Sequence, residues 1–122
     1  MKNTIARRIL NKLNEKDDSQ DFDTALNKFI LKCNAVMKAS ENGVYDEVQI
    51  IRGKKFIRVI SVLKVTQIQS AYCFIEIATG NIFKADSWVK PAKSPKASIY
   101  NPETYANLDV YGSWLYKNKK IL

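Results

Sequence analysis

Apolar side chains recur at helical spacing in two stretches of the N-terminal third of the chain. The first stretch predicts a short amphipathic helix over residues 3–14. Its apolar positions are Ile5, Ile9, Leu10 and Leu13. An acidic stretch follows as a linker, so residues 1–20 are interpreted as an N-terminal amphipathic helix and linker, and residues 21–122 as a single α+β domain.

The second stretch predicts the longest helix of the chain. Its apolar stripe is Phe22, Leu26, Phe29, Ile30, Cys33, Val36 and Met37. Asp21 or Asp23 suits the N-cap, since either carboxylate can accept from the unpaired amides of the first turn. The segment Glu41-Asn42-Gly43 then provides a C-terminal signal. We expect this stripe to pack on a sheet, because strands follow it.

Alternating apolar and polar positions predict an antiparallel sheet of about four strands. The predicted strands are Val44 to Arg52, Lys55 to Gln67, Ser70 to Ala78 and Ile82 to Lys84. Gly53-Lys54 and Thr79-Gly80-Asn81 are expected to form the first and last turns between them. The fold class is therefore α+β, with N-terminal helices packed on a curved antiparallel sheet and a short C-terminal helix.

The two faces of the predicted sheet differ in composition. One face is apolar and comprises Ile57, Val59, Leu63, Val65, Ala71, Cys73, Ile75 and Ile77. The other mixes apolar, aromatic, basic and acidic groups and comprises Phe56, Arg58, Ile60, Val62, Lys64, Tyr72, Phe74 and Glu76. The mixed face is either open for stacking with nucleic-acid bases or buried beneath the C-terminal segment or a second subunit.

Beyond the sheet, Pro91 and Pro95 restrict the backbone and predict an extended segment over Lys90 to Lys96, outside any central strand. Asn101-Pro102 then begins a brief helix that ends at Gly112. The last apolar piece, Ser113 to Tyr116, is expected to pack against the domain.

The charge distribution points to an anionic partner. The chain has 122 residues and a net charge of +8, and residues 48–100 hold nine basic side chains against two acidic ones. A field of that sign attracts polyanions, of which nucleic acid is the commonest inside a cell. The alternative is that the excess charge only keeps a small protein in solution.

Several kinds of chemistry have no signature in the sequence. Histidine is absent, and no phosphate-binding loop, dinucleotide fingerprint or nucleophile elbow occurs. The acidic run before Phe22 lacks the glycine and the closing glutamate of a calcium loop, and Cys33 and Cys73 are interpreted as buried thiols. We therefore expect no enzyme, no cofactor and no metal. With no apolar run long enough to span a membrane and no secretory leader, we expect an intracellular protein.

The segment from Ala78 to Lys93, ATGNIFKADSWVKPAK, is followed by Ile99-Tyr100-Asn101 and by Tyr111-Gly112-Ser113-Trp114-Leu115-Tyr116. This pattern resembles a group of small uncharacterised bacteriophage proteins over roughly the C-terminal half. That group has a cysteine-aromatic strand, a TG turn and a K-A-x-S-W-K-x-P-A-K signature. In place of an arginine in the segment that follows the signature, this chain has Lys96. The resemblance implies a viral origin, with host cytoplasm or virion as the location, and no particular activity.

The leading hypothesis is a non-enzymatic, phage-encoded protein that binds single-stranded DNA or RNA and has no membrane partner. Its predicted phosphate-binding residues are Arg52, Lys54, Arg58, Lys84, Lys90, Lys93 and Lys96, and its predicted base-stacking residues are Tyr72, Phe74, Phe83 and Trp88. Two alternatives stay open. One is a virion structural or assembly protein that forms homo-oligomers, and the other is an inhibitor of host defence that binds a host protein or a signalling nucleotide.

Overall fold

The computed structural model of the chain describes residues 21–39, 43–109, 113–116 and 122. The helix and linker predicted for the N-terminal segment 1–20 lie outside these residues. The described part is α+β, as predicted, with one long helix, a five-stranded antiparallel sheet and a short C-terminal helix. None of its helices is long and apolar enough to cross a membrane.

Helix α1 spans Phe22–Ala39. Its N-cap is Asp21, whose Oδ1 accepts from the Thr24 N–H at 2.8 Å, whereas Asp23 lies in the first turn. Its buried positions match most of the predicted stripe and are Ala25, Leu26, Phe29, Cys33 and Met37. The predicted terminator at Glu41-Asn42 lies outside the described residues.

The five strands follow one another in sequence and in space. They are β1 Gln49–Arg52, β2 Phe56–Val62, β3 Gln69–Glu76, β4 Asn81–Ala85 and β5 Pro91–Ser98, in the order β1-β2-β3-β4-β5. The fifth strand is the basic segment, which the sequence predicts to be extended and outside the central strands. It pairs with β4 at the edge of the sheet. An edge strand bonds on one side only, so prolines without an amide hydrogen are tolerated there.

Strand β2 is shorter than the apolar pattern predicts. It ends at Val62, and the Gln67 N–H donates to the Leu63 carbonyl at 2.8 Å to close a turn in which Gln67 has a φ of 60°. Val65 is consequently 95% exposed rather than on the apolar face. Alternation alone does not distinguish the end of a strand from a turn that contains apolar residues.

The turn between β3 and β4 forms as predicted around Gly80. This glycine has a φ of 74° and donates its N–H to the Glu76 carbonyl at 2.7 Å. A Cβ atom built there would lie 2.4 Å from Cε2 of Tyr100. Both the backbone conformation and the close approach of the ring require glycine.

The main core lies between α1 and one face of the sheet, which we call the helix face. The strands contribute Ile57, Val59, Tyr72, Cys73, Ile75, Ile82 and Ala97 to this core. Helix α2, Pro102–Asn107, begins as predicted, with Asn101 Oδ1 accepting from the Glu103 N–H at 3.0 Å. A single 3₁₀ turn, η1, spans Ser113–Tyr116 and adds Trp114 and Leu115. Cys33 and Cys73 are free and buried, as the sequence predicts.

Candidate nucleic-acid interface

The opposite face of the sheet, which we call the outer face, carries the mixed side chains. Ile57 and Val59 belong to the core beneath α1, so Phe56 and Arg58 between them point the other way. Across the sheet, Arg58 pairs with Phe74, and Phe74 pairs with Phe83. Directly opposed residues share a face, so these three side chains lie side by side on the outer face.

Three phenylalanine rings form a compact cluster on this face. The Phe56 ring lies 6.3 Å from Phe74 and 5.6 Å from Phe83, centroid to centroid, at interplanar angles of 87° and 90°. These are edge-to-face contacts, which the quadrupoles of aromatic rings favour. Phe74 and Phe83 are buried, as are Ile60 and Val62 on the same face. The prediction that Phe74 and Phe83 stack openly on bases is therefore wrong, because each ring packs against Phe56.

Tyr72 does not belong to the outer face at all. Val59 pairs with Cys73 and Ile60 pairs with Ala71, so Tyr72 is an extra residue in β3 at a β-bulge. It lies with Cys73 in the core beneath α1, where its hydroxyl donates to the Asp109 carbonyl at 2.8 Å and accepts from Trp114 Nε1 at 3.2 Å. The predicted stacking role of Tyr72 is wrong, because the bulge reverses its side.

The same core raises the pKa values of three groups. Burial raises the pKa of Tyr72 far above its ordinary value of 10.0. Burial also raises the pKa of the Cys33 thiol to about 12 and raises that of Cys73, which is more deeply buried. Thiols held in the protonated form are poor nucleophiles. No group of three or more metal-binding side chains comes together in the described part of the chain.

Arg58 is the distinctive polar group of the outer face. Its guanidinium carbon lies 5.0 Å from the centroid of the Trp88 ring and 5.8 Å from that of Phe74. Cation–π attraction holds the guanidinium against both rings. Its Nε atom is buried and donates to no acceptor, the only buried side-chain nitrogen or oxygen in the described residues that has no partner. A buried donor without an acceptor is costly to a fold, and such exceptions call for an explanation.

Trp88 reaches Arg58 from the turn between β4 and β5. The amides of Asp86 and Ser87 both donate to the Lys90 carbonyl, at 2.9 and 3.2 Å, and close this turn. Trp88 remains 39% exposed, which makes it the one predicted stacking residue that still has surface available for a base.

A shallow groove of about 220 Å³ runs beside these residues on the outer face. It is lined by Ile51, Gly53, Lys54, Lys55, Phe56, Arg58, Phe74, Val89 and Pro91. Three of these side chains are basic and none is acidic. Lys55 reaches over the Phe56 ring at 5.7 Å, so its charge lies at the rim. The groove therefore combines positive charge with an apolar floor, as a site for an anionic group attached to a planar or apolar one requires.

The remaining predicted basic residues do not form one patch with Arg58. Arg52 pairs with Ile57, and its Nη2 lies 3.0 Å from Asp23 Oδ1 at the start of α1, so it belongs to the helix face. Lys84 pairs with Cys73 and also lies on the helix face. The sheet thus separates these two cations from the groove.

Four other predicted cations lie at or near the outer groove or on its strand. Lys54 lines the groove, Lys90 follows Trp88 in the turn, and Lys93 and Lys96 lie on the edge strand β5. Lys55, Ile51 and Val89 line the groove without having been predicted as site residues. The run Gly53-Lys54-Lys55 was a signal for Lys55, because both residues of a two-residue hairpin loop project from the sheet.

Comparison with known proteins places the chain without describing its activity. No curated protein and no solved structure matches it. Residues 3–117, almost the whole chain, match the family of unknown function DUF7717, so the protein with this aromatic-basic outer face belongs to the DUF7717 family.

Proposed function

We propose that the protein is a non-enzymatic, phage-encoded nucleic-acid-binding protein that prefers single strands and binds them in the outer-face groove. The observation that carries the proposal is Arg58. Its guanidinium lies between Phe74 and Trp88, forms no ion pair with a carboxylate, and keeps one buried N–H without an acceptor. A phosphate oxygen bound there would satisfy the donor and neutralise the charge together.

The surroundings of Arg58 favour a polyanion over a single small anion. Lys54 and Lys55 stand at one end of the groove, and Lys90 follows Trp88 at the other. A phosphodiester backbone can contact several such cations in succession, and each contact releases counterions. The viral origin implied by the C-terminal signature, with action in the host cytoplasm, agrees with this role.

Preference for a single strand rests on Trp88. An exposed indole beside a row of cations stacks on an unpaired base, whereas the bases of a duplex are already stacked on each other. Trp88 thus takes the role that the sequence assigns jointly to four rings.

Fluorescence anisotropy with a labelled single-stranded oligonucleotide tests the proposal. We expect binding that weakens with salt, with a log–log slope of roughly −2 to −3 for three or four neutralised phosphates. Arg58→Gln should lower affinity about tenfold or more and flatten the slope by about 0.7, because one charge-assisted phosphate contact is lost. Arg52→Gln is the matched control, since it removes a cation from the helix face.

A second readout reports stacking directly. Trp114 is buried on the helix face, so quenching of tryptophan fluorescence on binding should come from Trp88 and disappear in Trp88→Phe. The proposal fails if the wild type shows no salt-sensitive binding at micromolar concentration in low salt. It also fails if Arg52→Gln reduces affinity as much as Arg58→Gln.

A further inference from the structure

The two edges of the sheet are protected to different degrees. Strand β5 carries Pro91 and Pro95, which remove amide donors from that edge. Strand β1 has no proline, and all four of its residues are exposed. Ile50 and Ile51 in its centre are 42% and 46% exposed. An exposed apolar edge strand is a template for pairing with another strand.

The hairpin register shows which backbone groups β1 presents outward. The Gly53 N–H donates to the Phe56 carbonyl at 2.9 Å, which marks Gly53 as facing β2. Hydrogen-bonded pairs alternate along an antiparallel ladder, so Ile51 also faces β2, whereas Ile50 and Arg52 face away from the sheet. Val48 faces outward too, but its N–H already donates to Asn34 Oδ1 of α1 at 2.7 Å.

We propose that β1 is a homodimer interface, in which the β1 strands of two copies pair antiparallel about a two-fold axis at Ile51. Two-fold symmetry makes the interface self-complementary. In this register Ile50 of each copy lies opposite Arg52 of the other, and their outward N–H and C=O groups form four hydrogen bonds. A register centred on Ile50 would instead require the Val48 N–H, which α1 already occupies.

Side chains support the same register. Ile51 meets Ile51 of the second copy on the outer face, in a non-hydrogen-bonded pair where side chains approach most closely. Glu47 of each copy falls opposite Lys55 of the other, which brings two pairs of opposite charges together. The contact area of four-residue strands is small, so we expect a dimer that dissociates on dilution.

Pairing joins two five-stranded sheets into one continuous sheet. Ile51 also lines the outer-face groove, so the grooves of the two copies adjoin at the two-fold axis. The dimer is independent of the proposed nucleic-acid binding, because the hydrogen bonds and charge pairs that form it involve no bound anion.

Sedimentation velocity without nucleic acid, over a protein concentration range of about 100-fold, tests the dimer. We expect the wild type to shift from monomer to dimer with increasing concentration. Ile51→Lys puts two like charges face to face at the axis and should give a monomer throughout. Val65→Lys, which replaces another exposed apolar residue outside β1, should dimerise like the wild type. Circular dichroism confirms that both variants are folded.

A charge swap tests the register. Glu47→Lys and Lys55→Glu should each weaken dimerisation several-fold, and the double variant should restore it, because the opposite charges then face each other again. A wild type that stays monomeric would leave the edge to some other occupant and overturn the proposal. So would a dimer that survives Ile51→Lys, or a double variant that is weaker than both single variants.

Discussion

The two faces of the sheet are both largely buried, yet they treat their polar groups differently. On the helix face, the Tyr72 hydroxyl donates to the Asp109 carbonyl and accepts from Trp114, so each of these buried groups has a partner. On the outer face, Arg58 keeps a buried N–H without an acceptor beneath a partly exposed Trp88. Satisfied polar groups stabilise the fold, whereas the unsatisfied one marks where a ligand would gain most.

The largest expected effect breaks the helix face. Phe29 is fully buried at the centre of α1 and also contacts Tyr105 edge to face, at 6.4 Å between ring centroids. Phe29→Ala should lower the free energy of unfolding by about 3–5 kcal/mol through lost burial and a residual cavity. Urea denaturation measures this. A loss below about 1 kcal/mol would mean that α1 contributes little to the domain.

An intermediate effect comes from raising the pH, and it acts on the helix face alone. The folded-state pKa of Cys33 is about 12, above its ordinary value of 9.0, because burial disfavours the thiolate. The unfolded chain therefore releases this proton first, and stability should be full below pH 9 and fall as the pH rises from 9 towards 12.

The expected slope from Cys33 is about 1.4 kcal/mol per pH unit within that window. Cys33→Ala should flatten the dependence in alkaline urea titrations, and Lys55→Ala, on the outer face, should leave it unchanged. An equal slope in the wild type and in Cys33→Ala would contradict the assignment.

The smallest effect on stability sharpens the contrast from the other side. Trp88→Ala removes a partly exposed ring and lets water reach the Arg58 guanidinium. It should cost only about 1 kcal/mol of unfolding free energy, because the new hydration offsets part of the lost contact. The same variant should lose most oligonucleotide affinity in the anisotropy assay. A stability loss as large as that of Phe29→Ala would make Trp88 a core residue and not a binding one.

Local sequence signals were sufficient for the helices and most turns. The Asp21 cap, the apolar stripe of α1, the Gly80 turn and the Asn101-Pro102 helix start are each determined by neighbouring residues, and the structure contains all of them. The predicted site was less accurate. Lys54, Arg58 and Trp88 come together as expected, whereas Arg52 and Lys84 lie on the opposite face of the sheet.

The sequence by itself determined the α+β class, the spacing of the core positions and the excess of basic groups in the β region, because these depend on side-chain period and composition. Only the tertiary structure decided which side of the sheet each ring and cation occupies. A single inserted residue at the β3 bulge turned Tyr72 into the core, and strand pairing placed Lys84 beneath the sheet and Arg58 above it. Such choices depend on the register between strands, which residues distant in the chain fix together.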